Sequence, residues 1–239
     1  MDIKLVHMSA EEAWNVILKN HYMYHDRLKH FKQYTYNFLI PDNEQMRKMS
    51  EQQNLTQEQA KYYHDIFVNE IYNIADLRAQ DENIQKAVPH FQKAIEKHIK
   101  PLLSAWNAKL PNTLIILCCY GDGAGYYNEE DKAFISLRLT KYKGNDYGIY
   151  CYLVHEFVHI LIEQQIIKKY NVPQDLKERI VDIICFELFK KTVQEQFINL
   201  FVDKYITPET ITTDLPGAVQ KMMTDYILLQ QKQNSTVRK

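Results

Sequence analysis

His155-Glu156-Phe157-Val158-His159 holds the residues whose types and spacing most directly imply chemistry in this chain: two histidines four apart, with a glutamate beside the first. On an α-helix, residues four apart lie one above the other on a single face. Both imidazoles can then be directed at one metal ion, supplying two of the three protein ligands that a catalytic zinc needs. Glu156, rotated about 100° from His155, stands beside such an ion. Its carboxylate can there take a proton from a metal-held water, whose pKa zinc lowers towards ~7. From Tyr152 to Ile162 every other residue is uncharged and bulky. The same residues therefore also read as an ordinary buried helix that happens to carry two histidines.

A third ligand decides between these readings. Cys151 and Glu163 continue the stripe of His155 and His159, but each lies a further helical turn along, about 5–6 Å away. Ligands stacked in a line cannot surround an ion tetrahedrally, so these two read as a core cysteine and a surface glutamate. Glu178 stands 19 residues beyond His159, and Pro173 lies between them, where the chain can reverse direction. From a second, packed helix Glu178 can approach the same ion. Asp182, one turn further on the same face, is placed to accept a hydrogen bond from the other ring nitrogen of a ligand histidine, which fixes the tautomer. Taken alone, Glu178 beside Lys177 and Arg179 reads as an exposed glutamate, and Glu187 is the alternative third ligand.

The pair "HEFVH" and "ERIVD" at this spacing resembles the gluzincins, the thermolysin-like zinc peptidases with the pattern HExxH, a gap near twenty residues, then ExxxD. The resemblance covers about residues 113–190. It implies Zn2+ held by His155, His159 and Glu178, Glu156 as the general base, and Asp182 as the partner of a ligand histidine. It further implies a peptide or protein substrate, bound in extended form along the edge strand of a small sheet just upstream. Gly123, Ala124 and Gly125 would let a substrate backbone approach there; a plain glycine turn accounts for them equally well. Metzincins are excluded, because position 165 is Gln165, position 162 is Ile162, and no histidine follows His159. The absence of a downstream histidine also departs from thermolysin itself, which stabilises the oxyanion with one. Tyr170, where thermolysin carries a tyrosine, is the substitute the resemblance points to, with Tyr205 and Tyr226 behind it.

The elements that must position these residues follow from periodicity. The expected fold is α+β and mostly helical: a zincin-like core, with a small mixed sheet packed on the HExxH helix and a following ligand helix, plus an N-terminal helical portion. Residues 1–110 form that portion and 111–239 the core with its C-terminal helices, or the two are one continuous domain. Ser9-Ala10-Glu11-Glu12 and Thr56-Gln57-Glu58-Gln59 have the spacing of capping boxes, opening helices after a short extended Ile3–Met8. The first is expected to run towards Phe38. A third covers roughly 82–108, with Pro89 and Pro101 bending or splitting it. Residues 113–120 and 133–140 read as strands, the second alternating Phe134, Ser136 and Arg138 against Ile135, Leu137 and Leu139. Four of the six glycines fall between 121 and 144. Helices then follow to about residue 169, from Pro173 to about 204, and over 215–231. His21 and His25, also four apart, read as the solvated side of an aromatic-rich amphipathic helix rather than a second metal pair.

Composition narrows the functions. Lys+Arg 29 against Asp+Glu 30 leaves no global charge for nucleic acid or an anionic membrane. No apolar run approaches the ~18 residues of a membrane span. Four cysteines without C-x-x-C spacing argue against a disulfide framework and a cysteine zinc site. No signal-peptide layout is seen at the N-terminus, so a cytoplasmic protein is expected, although a chain with its leader removed would look the same. The leading expectation is a zinc metallopeptidase. Its rivals are a zinc-binding regulatory or interaction protein with little turnover, and a helical scaffold in which HEFVH is coincidental.

Overall fold

In the strand Thr113–Cys119 successive side chains point to opposite sides, and both sides are apolar, as in a strand covered on two faces. The computed structural model, which describes residues 1–30, 43–120, 125–127, 132–138, 146–189 and 198–236, shows what covers it. Strands β1 (Asp2–His7), β2 (Thr113–Cys119), β3 (Gly125–Tyr127) and β4 (Lys132–Arg138) form one sheet in the order β1-β2-β4-β3. β1, β2 and β4 run parallel, with Leu5 opposite Ile116 and Ile116 opposite Ile135. β3 is the antiparallel edge strand, with Tyr126 opposite Phe134.

Helices cover both faces. On one side Leu117 and Cys119 pack with Trp14 and Ile17 of α1 (Ala10–His30), Met46 and Met49 of α2 (Glu44–Glu51) and Tyr63 of α3 (Gln57–Ile66). The expected capping boxes open α1 and α3: Ser9 N–H donates to Glu12 Oε2 (2.8 Å), and Thr56 N–H to Gln59 Oε1 (2.9 Å). On the other side Leu114, Ile116, Ile135 and Leu137 meet α5 (Asp81–Ala94), α6 (Asp146–Ile162) and α7 (Gln174–Phe189), with the short α4 (Ile74–Arg78) leading into α5. Beyond them lie α8 (Leu200–Asp203), α9 (Pro208–Thr213) and α10 (Leu215–Thr236); the buried Trp106 indole N–H donates to the Ile211 carbonyl of α9 at 2.8 Å. Among the described residues helix predominates, and no helix is long and apolar enough to cross a membrane.

Several expectations need correction. The segment expected to be extended before α1 is strand β1, and its partner, which the sequence did not show, is β2, so residues 1–110 and 111–239 contribute to one sheet. Pro89 sits inside α5 without ending it; a π-helical turn at Ile95–Ile99 and a 3-10 turn at Lys100–Leu102 close that helical stretch before residue 108. The helix after Pro173 does not run to 204 as one element. α7 is described as far as Phe189, and Asn199 caps a separate α8, its side chain accepting from the Phe201 and Val202 N–H groups. His21 and His25 face the interior, at 0% and 8% exposure, with ring centroids 4.6 Å apart. The polar label of histidine had assigned them to the wrong side of α1. The continuation of α1 towards Phe38 lies outside the described residues.

Candidate metal centre

α6 is held against the sheet by its own apolar residues. Leu153, Val154, Phe157, Val158 and Ile162 are buried, and Phe157 meets Phe91 of α5 edge-on with centroids 5.4 Å apart. Tyr152 donates its hydroxyl to the Ser136 carbonyl of β4 at 3.0 Å, which sets the rotation of α6 beneath that strand. His155 and His159 thereby face α7. Each is 7% exposed, and their Nε2 atoms approach to 3.0 Å.

α7 brings the third group. Glu178 Oε2 lies 3.2 Å from His159 Nε2 and 3.7 Å from His155 Nε2. Its other oxygen, Oε1, accepts from the Gln174 side-chain amide at 2.5 Å, so the carboxylate is held from both sides. Ligands of a tetrahedral zinc with bonds of ~2.0–2.2 Å stand about 3.3–3.6 Å apart. The three separations, 3.0, 3.2 and 3.7 Å, bracket that spacing. His155, His159 and Glu178 are thus grouped closely enough to hold a metal ion.

The ring nitrogens turned away from this point are buried and have no hydrogen-bond partner among the described residues. For His155, Nδ1 lies 3.9 Å from Oδ1 of the buried Asp182. That is ion-pair range but too long for a hydrogen bond. Asp182 is therefore on the expected side of the ring, one small adjustment away from accepting its N–H. Burial works against a charge on His155, but the neighbouring carboxylates of Glu178, Glu156 and Asp182 outweigh it and raise its pKa. Burial works equally against a charged Glu178, yet the hydrogen bonds and charges of the two imidazoles bring its carboxyl far below the usual range. These fixed groups favour positive charge at their centre, and the imidazole, imidazole and carboxylate donor set suits zinc.

Comparison with protein-family models, with curated proteins and with solved structures finds no match to this chain. Its chemistry follows from its own atoms.

The other predicted residues are placed as follows. Glu156 is partly buried on α6 and contributes to the charge felt by His155. Gly123 and Ala124 lie outside the described residues. Gly125 opens the edge strand β3 opposite Ile135, and β3 packs on α6. Tyr170 lies in the turn between the π-helical stretch Glu163–Lys168 and α7. Eleven residues of helix amount to roughly 15 Å from His159. Its ring packs on the core with the Lys169 ammonium 5.2 Å from its centroid. Tyr205 donates to Asp225 Oδ2 at 2.6 Å, and Tyr226 packs on Phe201. Glu163 pairs with Lys177 at 3.1 Å, in keeping with a surface glutamate.

Two contributors escaped the sequence reading. Gln174 stands one turn before Glu178, a spacing that alone could have marked it as that carboxylate's partner. Arg179, which reads as a surface charge, is 5% exposed, and its Nε donates to Asp203 Oδ1 at 2.7 Å, tying α7 to α8.

Proposed function

We propose that this chain is a zinc-dependent peptidase with a zincin-like core, and the observation that carries the reading is the convergence of His155 Nε2, His159 Nε2 and Glu178 Oε2 from two packed helices. When bound there, zinc supplies Lewis acidity, polarising a carbonyl and lowering the pKa of a water. The chain's residues do the rest. Glu156 takes the proton of the attacking water and passes it to the leaving amine nitrogen. Gln174 and Asp182 hold Glu178 and His155 in orientation. The antiparallel edge strand β3, which packs on the same helix as the trio, supports an extended peptide substrate, paired main chain to main chain. The resemblance to gluzincins supports the same assignment.

One observation favours a second reading, a zinc-binding regulatory or interaction protein with little turnover. Tyr170 lies beyond the end of the helical stretch, and Tyr205 is already engaged with Asp225, so neither tyrosine is aimed at a developing oxyanion. Cleavage of a broad peptide library by the wild type, lost in Glu156→Gln with zinc retained, supports the peptidase. Zinc bound by the wild type without any cleavage supports the second reading.

A further inference from the structure

A second group of side chains, sharing no residue with the His155 centre, is close enough together to hold a metal ion. His7 is the last residue of β1, and Cys118, its register partner, is the penultimate residue of β2. Asp81 is the first residue of α5. Asp81 Oδ1 lies 2.7 Å from His7 Nε2, and one donor atom from each of His7, Asp81 and Cys118 falls within 4.8 Å of the others. The three residues come from separate elements, and the segment between them is itself tied down. Tyr72 donates its hydroxyl to the Met8 carbonyl at 2.7 Å, and the Asn73 N–H donates to the Tyr120 hydroxyl at 2.8 Å. These bonds fix the start of α4, which leads into α5, at the carboxyl ends of β1 and β2, where ligands of parallel sheets characteristically bind.

We propose that His7, Asp81 and Cys118 form a second, structural site for a divalent zinc-class ion, linking β1, β2 and α5. The donor set decides the class: thiolate, imidazole and carboxylate together suit zinc, whereas magnesium and calcium take oxygen. The size agrees, since tetrahedral zinc with a sulfur ligand keeps its donors about 3.5 Å apart. Closing round an ion therefore means parting His7 from Asp81 by less than an ångström and drawing in Cys118. A catalytic Cys-His-Asp triad is the other chemistry these types allow. Cys118 is only 2% exposed, so no substrate carbonyl can reach its sulfur. His7 and Asp81 are partly exposed, at 19% and 27% of their side chains, and leave an approach for the ion and a water as its fourth ligand.

Cobalt loading tests this independently of the His155 centre, whose donors are nitrogen and oxygen only. Purified apo-protein is titrated with Co2+, and the near-ultraviolet thiolate-to-cobalt charge-transfer band is recorded for the wild type, His159→Ala, His7→Gln and Cys118→Ser. The band is expected in the wild type and undiminished in His159→Ala. It is expected to weaken in His7→Gln and to vanish in Cys118→Ser. No band in the wild type at excess cobalt overturns the proposal, even if Cys118→Ser fails to fold. A band that survives in Cys118→Ser, or disappears in His159→Ala, also overturns it, because the sulfur then belongs elsewhere. Loss of metal at the His155 centre alone leaves the band in place, so the two assignments fail separately.

Discussion

Glu156 and Gln174 illustrate how differently two residues at the proposed metal centre should behave. Glu156→Gln keeps the shape but removes the base; peptide cleavage is expected to fall by about 10²–10⁴-fold, with zinc content unchanged. Gln174→Ala frees one oxygen of Glu178 while leaving every ligand in place. Zinc affinity, measured by competition with a chromophoric chelator, should weaken by about 10–100-fold. Asp182→Ala should act similarly through His155. His21 makes a pH prediction far from the centre. Burial, and then the neighbouring His25, push its pKa down to about 4, from an ordinary 6.5. As pH falls from 6.5, the unfolded chain takes up a proton that the folded chain refuses until about 4, so stability is lost over that window. Urea unfolding of chelator-treated protein between those limits should be less pH-dependent in His21→Leu than in the wild type. An equal slope in both proteins would show that His21 is not the group responsible.

The helices set the geometry of the centre through their packing more than through their polar residues. Phe157 lies between the motif's own Glu156 and His159, almost wholly buried against Phe91. Phe157→Ala should destabilise the fold by roughly 3–5 kcal/mol in urea unfolding. Periodicity made α6 and α7 legible, because residues four apart share a helix face wherever the helix lies. It also placed the end of the helical run after His159, at about residue 169, where the π-helical stretch Glu163–Lys168 closes. Nothing in Glu163-Gln164-Gln165-Ile166-Ile167-Lys168 breaks a helix, and periodicity does not show that this last stretch is π-helical, with Tyr170 in the turn beyond it. The apolar run after Pro173 hid the new start at Asn199, whose capping role depends on which backbone N–H groups are left unpaired.

At the scale of the whole molecule, the sequence revealed elements but not their partners. Ile3–Met8 read as extended, yet its place beside β2 depends on residues more than a hundred positions away. For the same reason His7, Asp81 and Cys118 drew no attention in the sequence, whereas Glu178 did, since a single reversal at Pro173 separates it from His159. His21 and His25 were misplaced because a helix with aromatic residues all round does not declare its buried side; the packing of α1 on the sheet decides it. The centre between α6 and α7 remains the claim on which the functional reading stands. Its most direct test is the zinc content of the wild type, His159→Ala and Glu178→Ala, each purified without chelator and dialysed identically. The wild type should carry zinc, and each variant about one equivalent per chain less. Zinc unchanged in Glu178→Ala, or a wild type that takes up none, would contradict the account.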